Sequence, residues 1–176
     1  MIITAGIYKG RKLKAPDEKI TRPTLSKVRM GVFNTIFSLI GSFENKTFLD
    51  VFGGSGIMGL EALSRGFKFV KVYELNKKSA EIIKYNYSLV GLKSNLVIGD
   101  SLKLISKNSE FYDVAYIDPP YESDIYEKII PLINAGIIIV EHSNPLNLEK
   151  FDVLKEKNYG GKFVSFVTNK TNAEST

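Results

Sequence analysis

Asp118-Pro119-Pro120-Tyr121 is the stretch of this chain best suited to chemistry. It follows Val114-Ala115-Tyr116-Ile117, an apolar run that reads as a buried strand. The Asp118 carboxylate accepts hydrogen bonds, and neither proline has a backbone N–H. The turn therefore presents carbonyl oxygens in a fixed shape. Tyr121 adds a flat face for a planar group. The exocyclic amine of a nucleobase is a poor nucleophile, because its lone pair is delocalised into the ring. Two acceptors, one for each N–H, with a ring to stack on are the partners that make that nitrogen reactive. The tetrad implies work on the amino group of a base.

A second constellation lies upstream. Asp50-Val51-Phe52-Gly53-Gly54-Ser55-Gly56-Ile57-Met58-Gly59 contains G-x-G-x-x-G at Gly54, Gly56 and Gly59. The motif falls between a strand and a helix, the context that it needs. Gly54 permits a tight turn, Gly56 the approach of a ligand, and Gly59 close helix–strand packing. Nicotinamide, flavin and S-adenosylmethionine enzymes all fit this much. Asp50 narrows the choice, because its carboxylate repels a pyrophosphate and attracts the ammonium of S-adenosylmethionine. Glu74, with Leu75 beside it, ends the next strand about 20 residues on, where an acid takes both ribose hydroxyls. Gly99-Asp100-Ser101 ends the third strand, where Asp100 either accepts from an adenine amino group or caps the helix that follows. Acids at three successive strand ends favour S-adenosylmethionine. Asp118, across from this loop, completes the cofactor-binding set.

Positioning these residues takes alternating strands and helices. Strands are expected at Thr47 to Phe52, Phe69 to Glu74, Leu96 to Ile98, Tyr112 to Ile117 and Ile137 to Glu141. Helices are expected at Ile57 to Ser64, Lys77 to about Val90, and Ile125 to Ile133. Phe151 to Lys157 and Lys162 to Val167 flank Tyr159-Gly160-Gly161 as a closing antiparallel hairpin. The expectation is an α/β, Rossmann-like fold with a doubly wound, mostly parallel seven-stranded sheet. Ahead of it, Ile2 to Leu13 reads as a hairpin turning near Tyr8-Lys9-Gly10. Thr21-Arg22-Pro23-Thr24 reads as a loop, and a helix then carries Val28, Phe33, Ile36 and Phe37, its aromatics in the core. Residues 1–42 thus form an amino-terminal extension, 43–170 the main domain, and 171–176 a tail. The chain has room for one domain with a sizeable core.

Composition excludes other chemistries. There are no cysteines and one histidine among 176 residues, so thiol nucleophiles are out and a zinc site has too few ligands. His142, just past the fifth strand, reads as packed or hydrogen-bonded. No metal is expected. Neither a secretory start nor a membrane span is evident, which implies a cytoplasmic protein. The net charge is +5, yet residues 1–30 alone carry eight basic and two acidic side chains, a balance of +6. That concentration marks a polyanion-binding arm on a neutral body. A lysine-protected edge strand is the plainer alternative. Arg29 has two options, a phosphate or a local carboxylate.

Several segments together resemble one family. They are Ala5-Gly6-x-Tyr8-x-Gly10-Arg11-Lys12-Leu13, Thr21-Arg22-Pro23-Thr24, Gly54-Ser55-Gly56 through Gly66, Asp118-Pro119-Pro120-Tyr121 and Val140-Glu141-His142. The chain is similar over nearly its whole length to the bacterial RsmD-type methyltransferases, which methylate N2 of one guanine in small-subunit (16S) ribosomal RNA. Gly53 stands where that family more usually has alanine, and Leu75-Asn76 where it often has charged residues. The resemblance implies a class I S-adenosylmethionine-dependent fold and catalysis by Asp118, Pro119, Pro120 and Tyr121. Cofactor contacts would come from Asp50, Gly53, Gly54, Gly56, Glu74, Leu75, Asp100, Ser101 and Asp118. It further implies RNA contacts from Lys9, Arg11, Lys12, Lys14 and Arg22, and a monomer acting on 16S RNA in an assembling small subunit. An adenine-N6 methyltransferase is the alternative, since a similar tetrad serves adenine amines. A non-enzymatic RNA-binding protein is a third reading, against which the intact acids argue.

Overall fold

The computed structural model describes residues 1–16, 26–120 and 124–170. The Thr21-Arg22-Pro23-Thr24 loop, Tyr121 and the tail from residue 171 lie outside the described residues. After helix α1 (Ser26–Ile40) the elements alternate: β1 (Thr47–Asp50), α2 (Ile57–Arg65), β2 (Phe69–Glu74), α3 (Lys77–Ser88), β3 (Asn95–Ile98), α4 (Ser101–Ser106) and β4 (Tyr112–Ile117). Helix α5 (Ile125–Ile129), a 3-10 turn (Ile130–Leu132), β5 (Ala135–His142), β6 (Phe151–Asn158) and β7 (Phe163–Asn169) complete the order. One seven-stranded sheet results, with strand order β3-β2-β1-β4-β5-β7-β6. Strands β1 to β5 pair in parallel, and β7 runs antiparallel to both β5 and β6. The order reverses between β1 and β4. Crevices at such a reversal, outside the carboxyl ends of the strands, are where α/β sheets bind ligands.

Alternation along each strand builds two cores. Phe48, Val114, Tyr116, Ile137 and Ile139 point to one face, where α1, α2 and α3 pack. Leu49, Ala115, Ile117, Ile138 and Val140 point to the other, against α4, α5 and the 3-10 turn. Burial on both faces explains why these strands read as continuous apolar runs. Helix α5 stops at Ile129, short of the expected Ile133, and the chain tightens into the 3-10 turn at Pro131. A proline there cannot donate the N–H that would continue the helix. On α1, Phe33 is buried as expected, but Phe37 is 52% exposed. Ile36 already takes the inward position on that turn, so the next residue rotates outward.

The amino-terminal hairpin is a single antiparallel bridge, Ile2 to Lys12, closed by a wider turn than expected. Its breadth comes from docking on α2. The Ile7 N–H donates to the Ser64 carbonyl at 2.8 Å, and the Tyr8 N–H to Ser64 Oγ at 2.9 Å. Gly6 sits at φ +81°, where a Cβ would lie 1.7 Å from the Ser64 carbonyl oxygen. Glu61, fully buried, accepts from the N–H groups of Thr4 at 3.0 Å and Ala5 at 3.1 Å. Arg65 Nε donates to the same carboxylate at 3.0 Å, and Arg29 Nε lies 3.8 Å away. Arg29 Nη2 also donates to the Ile2 carbonyl at 2.7 Å. Arg29 is therefore a structural cation paired with a local carboxylate. Ile3, Leu13 and the inner face of α1 belong to the same core as the sheet.

Candidate active site

The glycine loop leaves β1 at Asp50, which is 1% exposed. Among the described residues neither carboxylate oxygen meets a donor in hydrogen-bond geometry. Burial, then the charges of Glu74 and Asp118, push the Asp50 pKa up to about 7, tempered by the nearby backbone of Gly59 and Phe52. Gly54 (φ 54°) and Gly56 (φ 77°) both take the left-handed conformation that suits glycine. The Gly54 N–H donates to Glu74 Oε2 at 2.7 Å, and the Asn76 N–H to Glu74 Oε1 at the same distance. Glu74 is thereby fixed at the end of β2, and burial raises its pKa. A Cβ on Gly59 would lie 2.9 Å from Val70 Cγ1 on β2, the close helix–strand contact that its position implied, and 2.4 Å from the Tyr87 hydroxyl on α3. A Cβ on Gly53 would lie 2.4 Å from Val72 Cγ1, so this chain has no room for alanine there unless Val72 moves.

The remaining strand-end residues divide. Asp100 caps α4, accepting from the Lys103 N–H at 2.9 Å, and stays exposed. Ser101 is buried and donates to the Val51 carbonyl at 2.6 Å, tying α4 to the glycine loop. Leu75 is 64% exposed beside Glu74, an apolar side chain left in water at a strand end.

Facing the loop, Asp118, Pro119 and Pro120 follow β4. Gly53 and Gly54 line one cavity of about 180 Å³ together with all three. Asp50, Gly56, Glu74, Leu75, Asp100 and Ser101 lie at the ends of β1 to β3 or just beyond, and do not line that cavity. Its other wall holds groups that carry no assigned role in the sequence reading. Lys162 Nζ lies 3.6 Å from Asp118 Oδ1 and pairs directly with the Glu141 carboxylate. Tyr116 donates its hydroxyl to that carboxylate, and Tyr126 donates to the Glu141 carbonyl at 2.8 Å. A lone acid ending the apolar run Ile137 to Val140 was the available signal for Glu141. Nothing local marks Lys162. His142 is packed as expected: it bonds Asn144 O at 2.7 Å and Ser165 Oγ at 2.8 Å, and stacks on Phe163.

The basic arm leads toward this cavity. Lys9, Arg11, Lys12 and Lys14 are all exposed. Asn86 grips the Lys14 backbone from both sides, and also donates to the Ser55 carbonyl of the glycine loop at 2.9 Å. Two residues later Pro16 lines the cavity itself. Arg22 and Tyr121 lie outside the described residues.

The residues present suit S-adenosylmethionine. Asp50 is a buried carboxylate short of a donor, Glu74 is a preset acid, and the left-handed glycines keep side chains out of the loop. No helix among the described residues is long and apolar enough to cross a membrane. The sequence profile of the family described as Conserved hypothetical protein 95 matches residues 1–168. Ribosomal RNA small subunit methyltransferase D of Haemophilus influenzae is 34% identical, over 90% of this chain and 88% of that protein. Its Escherichia coli namesake is 31% identical over 74% of this chain and 65% of its own length. The solved structure of the Escherichia coli protein yhhF superposes with a TM-score of 0.82 at 25% identity, covering 98% and 99% of the two chains.

Proposed function

This chain belongs to the small-subunit ribosomal RNA methyltransferase D family, and on that premise we propose that it methylates the exocyclic N2 of a guanine in 16S ribosomal RNA. The observation that carries the reading is the shared cavity: the glycine loop and the Asp118-Pro119-Pro120 corner line the same space. S-adenosylmethionine would supply an activated methyl group on a sulfonium. Asp50 would hold its ammonium, Glu74 its ribose hydroxyls, and Leu75 would flank its base.

The Asp118 carboxylate and the Pro119 carbonyl each accept one N–H of the target amine, which turns the nitrogen lone pair toward the methyl carbon. The chemistry so supplied would be displacement at that carbon, with a new N–C bond in place of the C–S bond, whose electron pair would stay on sulfur. The nitrogen then sheds one proton to Asp118 or to solvent. Tyr121 stacks on the base, contributing roughly 1–3 kcal/mol. The base must be unpaired, because its amine is otherwise engaged. Alignment supplies most of the acceleration, without a covalent intermediate. Lys9, Arg11, Lys12, Lys14 and Arg22 hold the RNA phosphates, in a monomer acting on a partly assembled subunit.

Incubation with labelled S-adenosylmethionine and undermethylated small subunits, naked RNA or DNA, followed by nucleoside mass spectrometry, tests this. The expected product is N2-methylguanosine at one position. N6-methyladenosine would move the chain to the adenine class instead.

A further inference from the structure

The wall opposite the glycine loop holds a charge arrangement that methyl transfer as written above does not use. Glu141 is fully buried at the end of β5, in contact with the Tyr116 hydroxyl and with Lys162. Lys162 comes from a different element, the β6–β7 turn. That turn is rigidly built: Gly160 and Gly161 both have positive φ, the Tyr159 N–H donates to the Lys162 carbonyl at 2.8 Å, and the Gly161 N–H to Asn158 Oδ1 at 2.9 Å. Its geometry brings a lysine to the cleft rather than leaving it in solvent. Lys162 is the one lysine or arginine among the described residues that line the cavity.

Among the described residues that line the cleft, Lys162 alone offsets its carboxylates. Asp118 and Glu141 line it together, and Asp50 lies close enough that the Asp118 charge helps to raise its pKa. Like charges at this range drive one carboxyl to keep its proton. A protonated Asp118 would offer a hydrogen to the amine in place of one acceptor. We infer that Lys162, anchored by Glu141, is a positioning residue that holds Asp118 ionised and oriented for the incoming amine. Tyr116 and Tyr126 fix Glu141, and so fix the lysine at second hand. Besides Tyr116 and Tyr126, the titratable groups near Glu141 are Tyr159, whose pKa burial and then the Glu141 charge raise, and His142, which faces Asn144 and Ser165, with Ser165 in turn bonding Glu156. The inference rests on the methyltransferase reading given above.

The test is the pH profile of single-turnover methyl transfer, with cofactor affinity measured alongside by calorimetry. In Lys162→Met the acid limb should move up by roughly 1–3 pH units, so that the rate falls about twofold or more at pH 5 and by at most about twofold at pH 7. Activity should return at higher pH, and cofactor affinity should stay within a few-fold. Adding Glu141→Gln to Lys162→Met should move the limb back down, because the second carboxylate is gone. Lys162→Arg should keep the wild-type limb. An unmoved limb in Lys162→Met, or a loss equal at every pH, overturns the inference. Should that variant not fold, carbon-13 titration of the wild-type Asp118 carboxyl, assigned by comparison with Asp118→Asn, decides it. A value at or below the ordinary carboxylate range supports the role, and a raised value refutes it. Absence of methyl transfer by the wild type itself would instead sink the underlying reading.

Discussion

Asp50→Asn separates what the buried acid costs the fold from what it gives the cofactor. The side chain is 1% exposed, and its pKa rises from 3.8 to about 7. Between those values the folded state binds a proton that the unfolded state has released. Stability from this group is therefore highest at low pH, falls as pH rises through that window, and is fully lost above about 7. The displacement corresponds to about 4 kcal/mol in all, of which more than half falls between pH 5 and 8. Urea unfolding of the cofactor-free protein at those two pH values reads it directly. Wild type should lose most of that amount across the interval, and the asparagine variant should lose about 2 kcal/mol less. At pH 8 the variant should be the more stable, by at most about 4 kcal/mol, since its amide must still be desolvated. Cofactor affinity should move the opposite way. In wild type it should climb with pH up to about 7, with proton uptake by buffer on binding below that value, whereas the variant should bind more weakly and with little pH dependence. Equal pH slopes in the two proteins would refute the reasoning.

Other expectations follow from the same geometry. Asp118→Ala should abolish methyl transfer while leaving cofactor affinity within a few-fold by calorimetry; full activity would remove the proposed amine grip. Glu61→Gln leaves Arg29 and Arg65 facing each other without their carboxylate, and should cost about 3–5 kcal/mol in chemical denaturation, with faster amide exchange in residues 2–12. Gly53→Ala should destabilise by about 1–3 kcal/mol through its clash with Val72, and Val72→Ala in the same chain should recover part of that loss. Replacing Lys9, Arg11, Lys12 and Lys14 by glutamine should flatten the log-affinity against log-salt slope for RNA by about 3. An unchanged slope would take the arm off the phosphates.

What could be read in advance tracks what is local. β2 and β4 have the bounds their apolar runs suggested, and Asp50, Glu74 and Asp118 fall at strand ends because turn residues follow each one. Gly59 packs against Val70 of β2 as the spacing of the loop implied. Pro131 is equally local, yet the expected helix ran through it to Ile133, past the observed end at Ile129. The rest depends on tertiary contact. Arg29 offered two partners on paper, and only the docking of α1 beside α2 selects Glu61. Phe37 fits the helical period but loses the inward position to Ile36. Lys162 reads as an ordinary hairpin lysine until β7 pairs with β5 and swings it onto Glu141 and Asp118. Of its two readings, Asp100 takes that of the cap on α4.

The central claim is that the activated methyl and the Asp118-Pro119 corner face each other across one cavity. A crystal structure of the protein with a non-reactive S-adenosylmethionine analogue and a short guanine-bearing RNA measures that relation. The predicted result is a guanine N2 held by Asp118 and the Pro119 carbonyl, about 3–3.5 Å from the position of the transferable carbon and in line with its bond to sulfur. A transferable group directed away from that corner, or separated from it by protein, would contradict the account.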